Sequence, residues 1–357
     1  MNRWATAGSD NTKPLEIDIF SWIRGNLKEC RYNFVGSGFN EPLLEKFGIN
    51  LSYEDYRKEA HDVQSIFNGT VAEIYRVNEN NVISTAGGTG GIFLVNAYLR
   101  EKVKRLFIPV PEYEPMYRVP ESLGIHVDFQ KPSVDEIRRS EFPGLEFTNP
   151  NNPRGTMMES SYMDSILEEA DQNHLTIYSD ETFRPFSMEN PPGSIFDGNE
   201  NVIVSNTMTK FYGLGSFRVG WIVAAERTAQ DIKRIKDLVT ADNAGYSLWI
   251  ASQVLRNRKR FQEFAKPLLD KNRSILREFV ESHRGMTWSN PEYGSIAYIE
   301  YSGRMNSLDL ARKAMEQEKV LIVPGEYFNH SHGFRICYTC SSEMLSEGLE
   351  KLGRVMG

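Results

Sequence analysis

Cysteine is scarce in this chain: three in 357 residues, at Cys30, Cys337 and Cys340. An odd count in a chain this long excludes a disulfide framework as the source of stability. Cys337 and Cys340 do form a C-x-x-C, but inside FRICYTC (334–340), which reads as a strand. Redox pairs sit at helix starts, where the thiolate is stabilised, so these two are read as core thiols. Long apolar runs are also missing. Nothing approaches the ~20 apolar residues of a membrane span, and the opening MNRWATAGSDNTKP has no apolar signal region. A cytoplasmic protein without a membrane partner is expected. Net basic charge is absent: Lys and Arg number 41 against 48 Asp and Glu, a net charge of −7, with no basic run. That excludes a nucleic-acid partner. No Gly-Lys dipeptide occurs, which excludes a P-loop, and no metal site is expected.

What is present suits a sizeable core: 40% hydrophobic, 25% charged and 11% aromatic residues. The length predicts one large and one smaller domain. Ile17–Lys28 has the spacing of a short amphipathic helix after a loose polar arm over residues 1–16. Tyr53–Phe67 (YEDYRKEAHDVQSIF) reads as one longer helix, with Tyr56, Ala60, Val63, Ile66 and Phe67 at three-to-four spacing. Seven short apolar runs then read as strands: Val82–Thr85, Arg105–Val110, His126–Phe129, Leu145–Thr148, Leu175–Ser179, Val202–Ser205 and Val219–Ala224. Helical patterns, including Gly91–Lys104 and Ser160–Asn173, alternate with them. The alternation predicts a three-layer α/β/α unit around a mostly parallel seven-stranded sheet. Helices over Glu226–Asp237 and Arg256–His283 lead into strands Ile296–Tyr301, Val320–Val323 and Phe334–Tyr338, with helices Leu308–Glu318 and Ser342–Val355. This segregation predicts a smaller α+β domain. The expected division is an arm and part of the small domain at 1–45, the large domain at 46–250, and the rest of the small domain at 251–357.

Ligands of open parallel sheets collect beyond the carboxyl ends of the strands, so the residues following each strand matter most. After Val82–Thr85 comes TAGGTGGI (85–92), four glycines and two threonines opening an apolar helix. Glycines admit an anion to backbone N–H groups, and a helix start adds partial positive charge; tight strand-helix packing explains the same glycines equally well. Phe93 stands where a dinucleotide fingerprint needs its last glycine. The next ends carry Pro111-Glu112-Tyr113, then NPNNPRG (149–155), then Asp180-Glu181, then TMTKFYGLGSFRVG (207–220). Each alone is an ordinary turn, cap or surface cation. Together they bring an anion loop, an asparagine, an aspartate, a lysine and an arginine to one edge. That set suits an anionic cofactor with a ring nitrogen and an electrophilic carbonyl. A desolvated, cation-flanked lysine has a lowered pKa and acts as nucleophile or base, and a carboxylate keeps a pyridine nitrogen protonated.

On these motifs, in this order, the sequence from about Tyr32 onward resembles the class I/II aminotransferases, fold-type I enzymes of pyridoxal 5'-phosphate. NPNNPRG resembles the family's N-P-x-N-P-T-G, which implies that Asn152 meets the cofactor's phenolic oxygen. YSDETF (178–183) resembles D-E-x-Y and makes Asp180 the partner of the pyridine nitrogen. TMTKFYGLGSFRVGW is similar to the family's lysine signature, with an arginine eight residues after the lysine. By that match Lys210 carries the cofactor as a Schiff base, while Thr207 and Arg218 hold its phosphate with Gly88 and Thr89. Tyr113 matches the aromatic stacked on the ring. Pro324-Gly325 followed by Arg335 resembles the family's PG…R pattern and gives Arg335 to the substrate α-carboxylate. In FRICYT, Phe334, Ile336 and Tyr338 share one strand face and Arg335 takes the other. Gly38, in GSGFNEP, is similar to the glycine turn lining the substrate pocket.

The resemblance implies transfer of an amino group between an amino acid and a 2-oxo acid, with Lys210 as base, in a homodimer. Two positions depart from the pattern. Phe183 replaces the tyrosine of D-E-x-Y, removing a donor to the phenolic oxygen and raising the Schiff-base pKa. Arg154 replaces a threonine. The usual tyrosine from a neighbouring subunit has no clear counterpart; Tyr75 is the candidate. Phe183 motivates an alternative on the same scaffold: a decarboxylase, a lyase, or an amino-acid oxidase or cyclase. A DNA-binding regulator would need a longer, more basic N-terminal extension.

Overall fold

The computed structural model of the chain describes residues 16–39, 44, 47–49, 52–187, 193–291 and 294–356. The arm expected over residues 1–16 therefore lies, except for Glu16, outside the described residues. The chain opens with α1 (Asp18–Asn26), β1 (Tyr32–Asn33), α2 (Tyr53–Glu59) and α3 (Val63–Tyr75). Strands and helices then alternate: β2 (Val82–Ala86), α4 (Gly87–Leu99), β3 (Arg105–Phe107), α5 (Glu114–Ser122), β4 (Val127–Asp128), α6 (Val134–Arg139), β5 (Pro143–Thr148), α7 (Ser160–Gln172) and β6 (Thr176–Asp180). Next come β7 (Val202–Thr207), β8 (Val219–Val223), α8 (Glu226–Asp237), α9 (Gly245–Arg256) and α10 (Arg258–Ser282). The chain ends with β9 (Met286–Trp288), β10 (Ile296–Tyr301), α11 (Ser307–Glu318), β11 (Val320–Leu321), β12 (Val323–Pro324), β13 (Gly333–Cys337) and α12 (Ser342–Met356).

Seven strands form one sheet in the order β2-β8-β7-β6-β5-β3-β4. All neighbours run parallel except β8, which is antiparallel to both β2 and β7. Side chains alternate across each strand, and here both faces are buried. Val202 and Val204 join one apolar cluster with Phe67 of α3, Ile166 of α7 and Leu248 of α9. Ile203, between them, joins the other with Leu94 of α4, Tyr117 of α5 and Ile232 of α8. A strand apolar on both faces needs helices on both faces, and a three-layer α/β/α unit follows. Among the described residues no helix is long and apolar enough to cross a membrane.

The C-terminal sheet has the order β12-β13-β10-β9, every pair antiparallel. The N-terminal segment returns to this region: β1 pairs in parallel with β11, Tyr32 opposite Val320. That pairing brings residues 32–39 alongside β13.

Several elements differ from the sequence reading. The strand expected over Val320–Val323 is two, β11 beside β1 and β12 beside β13. The single helix expected over Tyr53–Phe67 is two. Asp62 leaves helical geometry (φ −113°, ψ 8°), α2 buries no side chain, and α3 buries Val63 and Phe67. The periodic apolar positions therefore belong to two helices rather than one stripe. The helix expected from Gly91 begins at Gly87, so the glycine run is its first turn rather than a loop before it. The helix expected over Arg256–His283 is preceded by one the sequence reading missed, α9, whose buried residues include the consecutive Leu248, Trp249, Ile250 and Ala251 and so give no one-sided apolar stripe.

Candidate active site

The carboxyl ends of β5, β6 and β7, the start of α4, and Tyr113 at the N-cap of α5 converge on a cavity of about 420 Å³. Gly88, Thr89, Tyr113, Asn152, Asp180, Phe183, Thr207, Lys210 and Arg218 all line it. An adjoining cavity of about 450 Å³ shares Tyr113 and Lys210 and adds Gly38 and Arg335. The residues assigned to cofactor and substrate from the sequence thus border these two adjoining cavities, while Tyr75 and Arg154 line neither.

Lys210 follows β7 after a pair of hydroxyls. Thr207 Oγ1 donates to Val219 O (3.0 Å) and lies 2.9 Å from Thr209 Oγ1. The lysine's main chain is held from the other side, where Phe39 N donates to Lys210 O at 2.8 Å. Only glycine fits at position 38: a Cβ there would stand 2.3 Å from Lys210 O. Burial first, then the nearby Arg335 guanidinium, pulls the Lys210 amine down to about 8. The neutral, nucleophilic form is thus reached far nearer physiological pH than in an exposed lysine.

Asp180 ends β6, and its Oδ1 accepts both from Thr182 N (3.0 Å) and from Thr182 Oγ1 (2.6 Å). Burial pushes its carboxyl up to about 6, against the pull of those bonds. A cationic ring nitrogen opposite it would favour the carboxylate again. Phe183, buried, offers no hydroxyl to the cavity.

The start of α4 is an open anion site. Its N-cap, Ala86, makes no side-chain capping bond, so the first-turn N–H groups are free for a ligand. Arg218 crosses that end, with Nη2 donating to Ala86 O (3.2 Å) and Nη1 to Gly215 O (3.1 Å). Gly87, at φ +74°, makes the crossing possible, since a Cβ there would lie 2.4 Å from Arg218 Nη2. Helix start, guanidinium and threonine hydroxyls together match a phosphate.

Arg335, on β13, is 2% exposed. Its Nη1 donates to Asn152 Oδ1 (2.7 Å) and its Nη2 to Val35 O (2.8 Å), while Nε is buried with no partner among the described residues. Burial lowers it to about 10, still cationic near neutrality. A buried guanidinium with an unsatisfied donor suits a carboxylate ligand. Because Asn152 spends its oxygen on Arg335, its amide N–H₂ is left to donate. The set therefore fits pyridoxal phosphate: an amine for the aldehyde, a carboxyl for the ring nitrogen, an amide for the phenolic oxygen and an anion site for the phosphate.

Several lining residues had no sequence signal. Thr182 and Thr148 act through short bonds to residues around them, and Phe20 and Arg24 arrive from α1. Glu112, the residue before Tyr113, carries no signal of its role in the sequence. It is fully buried and accepts from Tyr113 N (2.7 Å), Thr148 N (2.9 Å) and Thr148 Oγ1 (2.6 Å), and burial pushes it up to about 8. Since Asn152 N donates to Thr148 Oγ1 (2.7 Å), one carboxyl ties Tyr113 to the Asn152 turn. Tyr75 is corrected as a candidate for a neighbouring subunit: it is buried within its own chain, 3.3 Å from Glu181 Oε2 and under the Arg184 guanidinium. The two thiols of the C-x-x-C are free, and burial pushes Cys340 up to about 12.

Comparison with known proteins places this geometry in a family. The family described as "Aminotransferase class I and II" matches residues 59–352. Among curated proteins, aspartate aminotransferase of Pyrococcus horikoshii is 23% identical over 93% of this chain and 87% of its own length. Capreomycidine synthase of Streptomyces vinaceus is 22% identical over 95% of this chain and 88% of its own. Among solved structures, a PLP-dependent aminotransferase from Streptococcus suis superposes with a TM-score of 0.86 at 24% identity, covering 96% of this chain and 97% of that one. A match to the family over most of the length, with a lysine, an aspartate and two arginines converging at the strand ends, has one reading: the chain belongs to the class I and II aminotransferases, and its cofactor is pyridoxal phosphate.

Proposed function

We propose that the chain transfers the amino group of an amino acid to a 2-oxo acid, with Lys210 as the cofactor-bonding and proton-moving residue. The observation that carries this is the Lys210 amine itself: drawn down to about 8 and sharing its cavity walls with Asp180, Asn152 and Arg218. When bound, pyridoxal phosphate supplies an aldehyde carbon and an electron-accepting ring. Asp180 holds the proton on the ring nitrogen. Gly88, Thr89, Thr207 and Arg218 bind the phosphate, and Tyr113 covers the ring. Arg335 binds the substrate α-carboxylate, and Asn152, bonded to Arg335, fixes the angle between carboxylate and ring. With the cofactor bound and the substrate amine in place of its own, Lys210 would be the base that takes the substrate α-proton and the acid that gives it back. Gly38 keeps the lysine main chain in place for both tasks.

We also assign the boundaries of the two units to residues 45 and 250, with the N-terminal segment joining the C-terminal unit through β1. The active unit is proposed to be a homodimer. Tyr53, Leu238 and Val239, left 64%, 87% and 55% exposed, support this as apolar surface awaiting cover. Three free thiols fit a cytoplasmic setting.

The half-reaction tests the proposal. A donor amino acid alone should yield one equivalent of 2-oxo acid per site and then stop until an acceptor 2-oxo acid is added. Phe183 favours one rival, a lyase or synthase on the same scaffold, and capreomycidine synthase shows that a relative carries such a name. Continuous release of ammonia or CO₂ without any acceptor would establish the rival and overturn the transaminase.

A further inference from the structure

We infer that the substrate side chain is large and apolar, and that α1 is the wall that selects it. The inference rests on the aminotransferase reading above and names the substrate class of that same site. The cavity of about 450 Å³ beside Lys210 and Arg335 is where a substrate bound through Arg335 must place its side chain. One wall is α1. Phe20, Ile23 and Leu27 follow at steps of three and four, the spacing of a single helix face, and all three line the cavity. Val35, Phe39 and Tyr113 line it as well, with the uncharged polar residues Asn33, Ser37, Thr209 and Ser216. Among the described residues the only charged groups lining it are Lys210 and Arg335, each already committed to cofactor or α-carboxylate. A distal carboxylate would lose its water there without gaining a cation, whereas a branched or aromatic side chain gains apolar contact.

The wall is built to stay in place. Both oxygens of the buried Glu114 accept from the first turn of α1, Oε1 from Asp18 N (2.9 Å) and Oε2 from Ile19 N (2.6 Å). Trp22 Nε1 donates to Ile322 O at 2.9 Å, anchoring the next turn. Glu114 directly follows Tyr113, so the helix and the ring-covering tyrosine are set by one point of the chain. The rival specificity has its own residue. Arg24 lines the neighbouring cavity, exposed to water, with its guanidinium 5.7 Å from the Phe20 ring. An anionic side chain would have to reach it.

The test is the half-reaction of the holoenzyme with single donors, read as loss of the cofactor's visible band and as 2-oxo acid formed. Leucine, methionine and phenylalanine should exceed aspartate and glutamate by about 100-fold in second-order rate, the scale on which an apolar pocket discriminates. Ile23→Ala should lower the leucine rate about 10-fold more than the alanine rate. Aspartate or glutamate matching or exceeding the apolar donors, with that rate lost in Arg24→Ala, overturns the inference and leaves the aminotransferase reading intact. Formation of no 2-oxo acid from any donor defeats that reading, and the inference with it.

Discussion

Three side chains decide how this site behaves, and each responds to a different kind of change. Lys210 is displaced downward to about 8 mainly by burial. The neutral amine is the nucleophile, so the rate at which the cofactor-free protein captures pyridoxal phosphate should rise tenfold per pH unit below about 8 and level off above it. A stopped-flow pH series checks this, and a flat profile would contradict it. Arg335 binds by a fork, not only by charge. Arg335→Lys leaves Asn152 Oδ1 and Val35 O short of donors, and kcat/KM should fall by about 100-fold, chiefly in KM. Phe183→Tyr restores a donor facing the cavity. One hydrogen bond to a charged oxygen is worth about a pKa unit or more, so the pH midpoint of the cofactor's visible band should move down by about one unit. An unmoved midpoint would mean that residue 183 does not reach the phenolic oxygen.

At the scale of elements, the site is made of strand ends, and this is why so much of it was legible in the sequence. A parallel sheet delivers the carboxyl ends of β5, β6 and β7 to one edge. Asn152, Asp180 and Lys210 therefore met once the strands were identified, whatever the helices between them did. What escaped acts across long stretches of chain. The bonds from Asp18 and Ile19 to Glu114 span 96 and 95 residues, and no local pattern announces a carboxyl that caps another helix. Thr182 and Glu112 act by satisfying other polar groups, a role set only once the backbone is folded. The misread boundary between α2 and α3 has a local origin: their apolar residues share one period, but the chain leaves helical geometry at Asp62 and only α3 buries side chains fully. Glu114→Ala should free the first turn of α1 at a cost of about 1–2 kcal/mol. The expected signs are a Tm lower by a few degrees, faster proteolysis near residues 18–26, and a raised KM for large donors with a smaller change in kcat. A variant with unaltered KM for large donors would show that α1 does not shape the pocket.

For the whole molecule, the two sheets supply different parts of one site. The seven-stranded sheet supplies Asp180 and Lys210, and β13 of the other supplies Arg335. A ligand that binds only the folded site stabilises the native state by mass action, about 2.7 kcal/mol at one hundred times its Kd. Thermal unfolding should thus shift upward on adding pyridoxal phosphate, and far less for Gly38→Ala, whose new Cβ displaces the Lys210 main chain. Sedimentation should give about twice the chain mass of 40.9 kDa for the proposed homodimer; a single-chain mass would refute it.

The most direct test of the central claim is chemical. The holoenzyme is reduced with borohydride, digested, and its peptides are mapped by mass spectrometry. A covalent pyridoxyl phosphate adduct should appear on the peptide containing Lys210 and on no other lysine, and Lys210→Ala should carry none. An adduct on a different lysine, or none on a wild-type protein shown to bind the cofactor, would contradict the account.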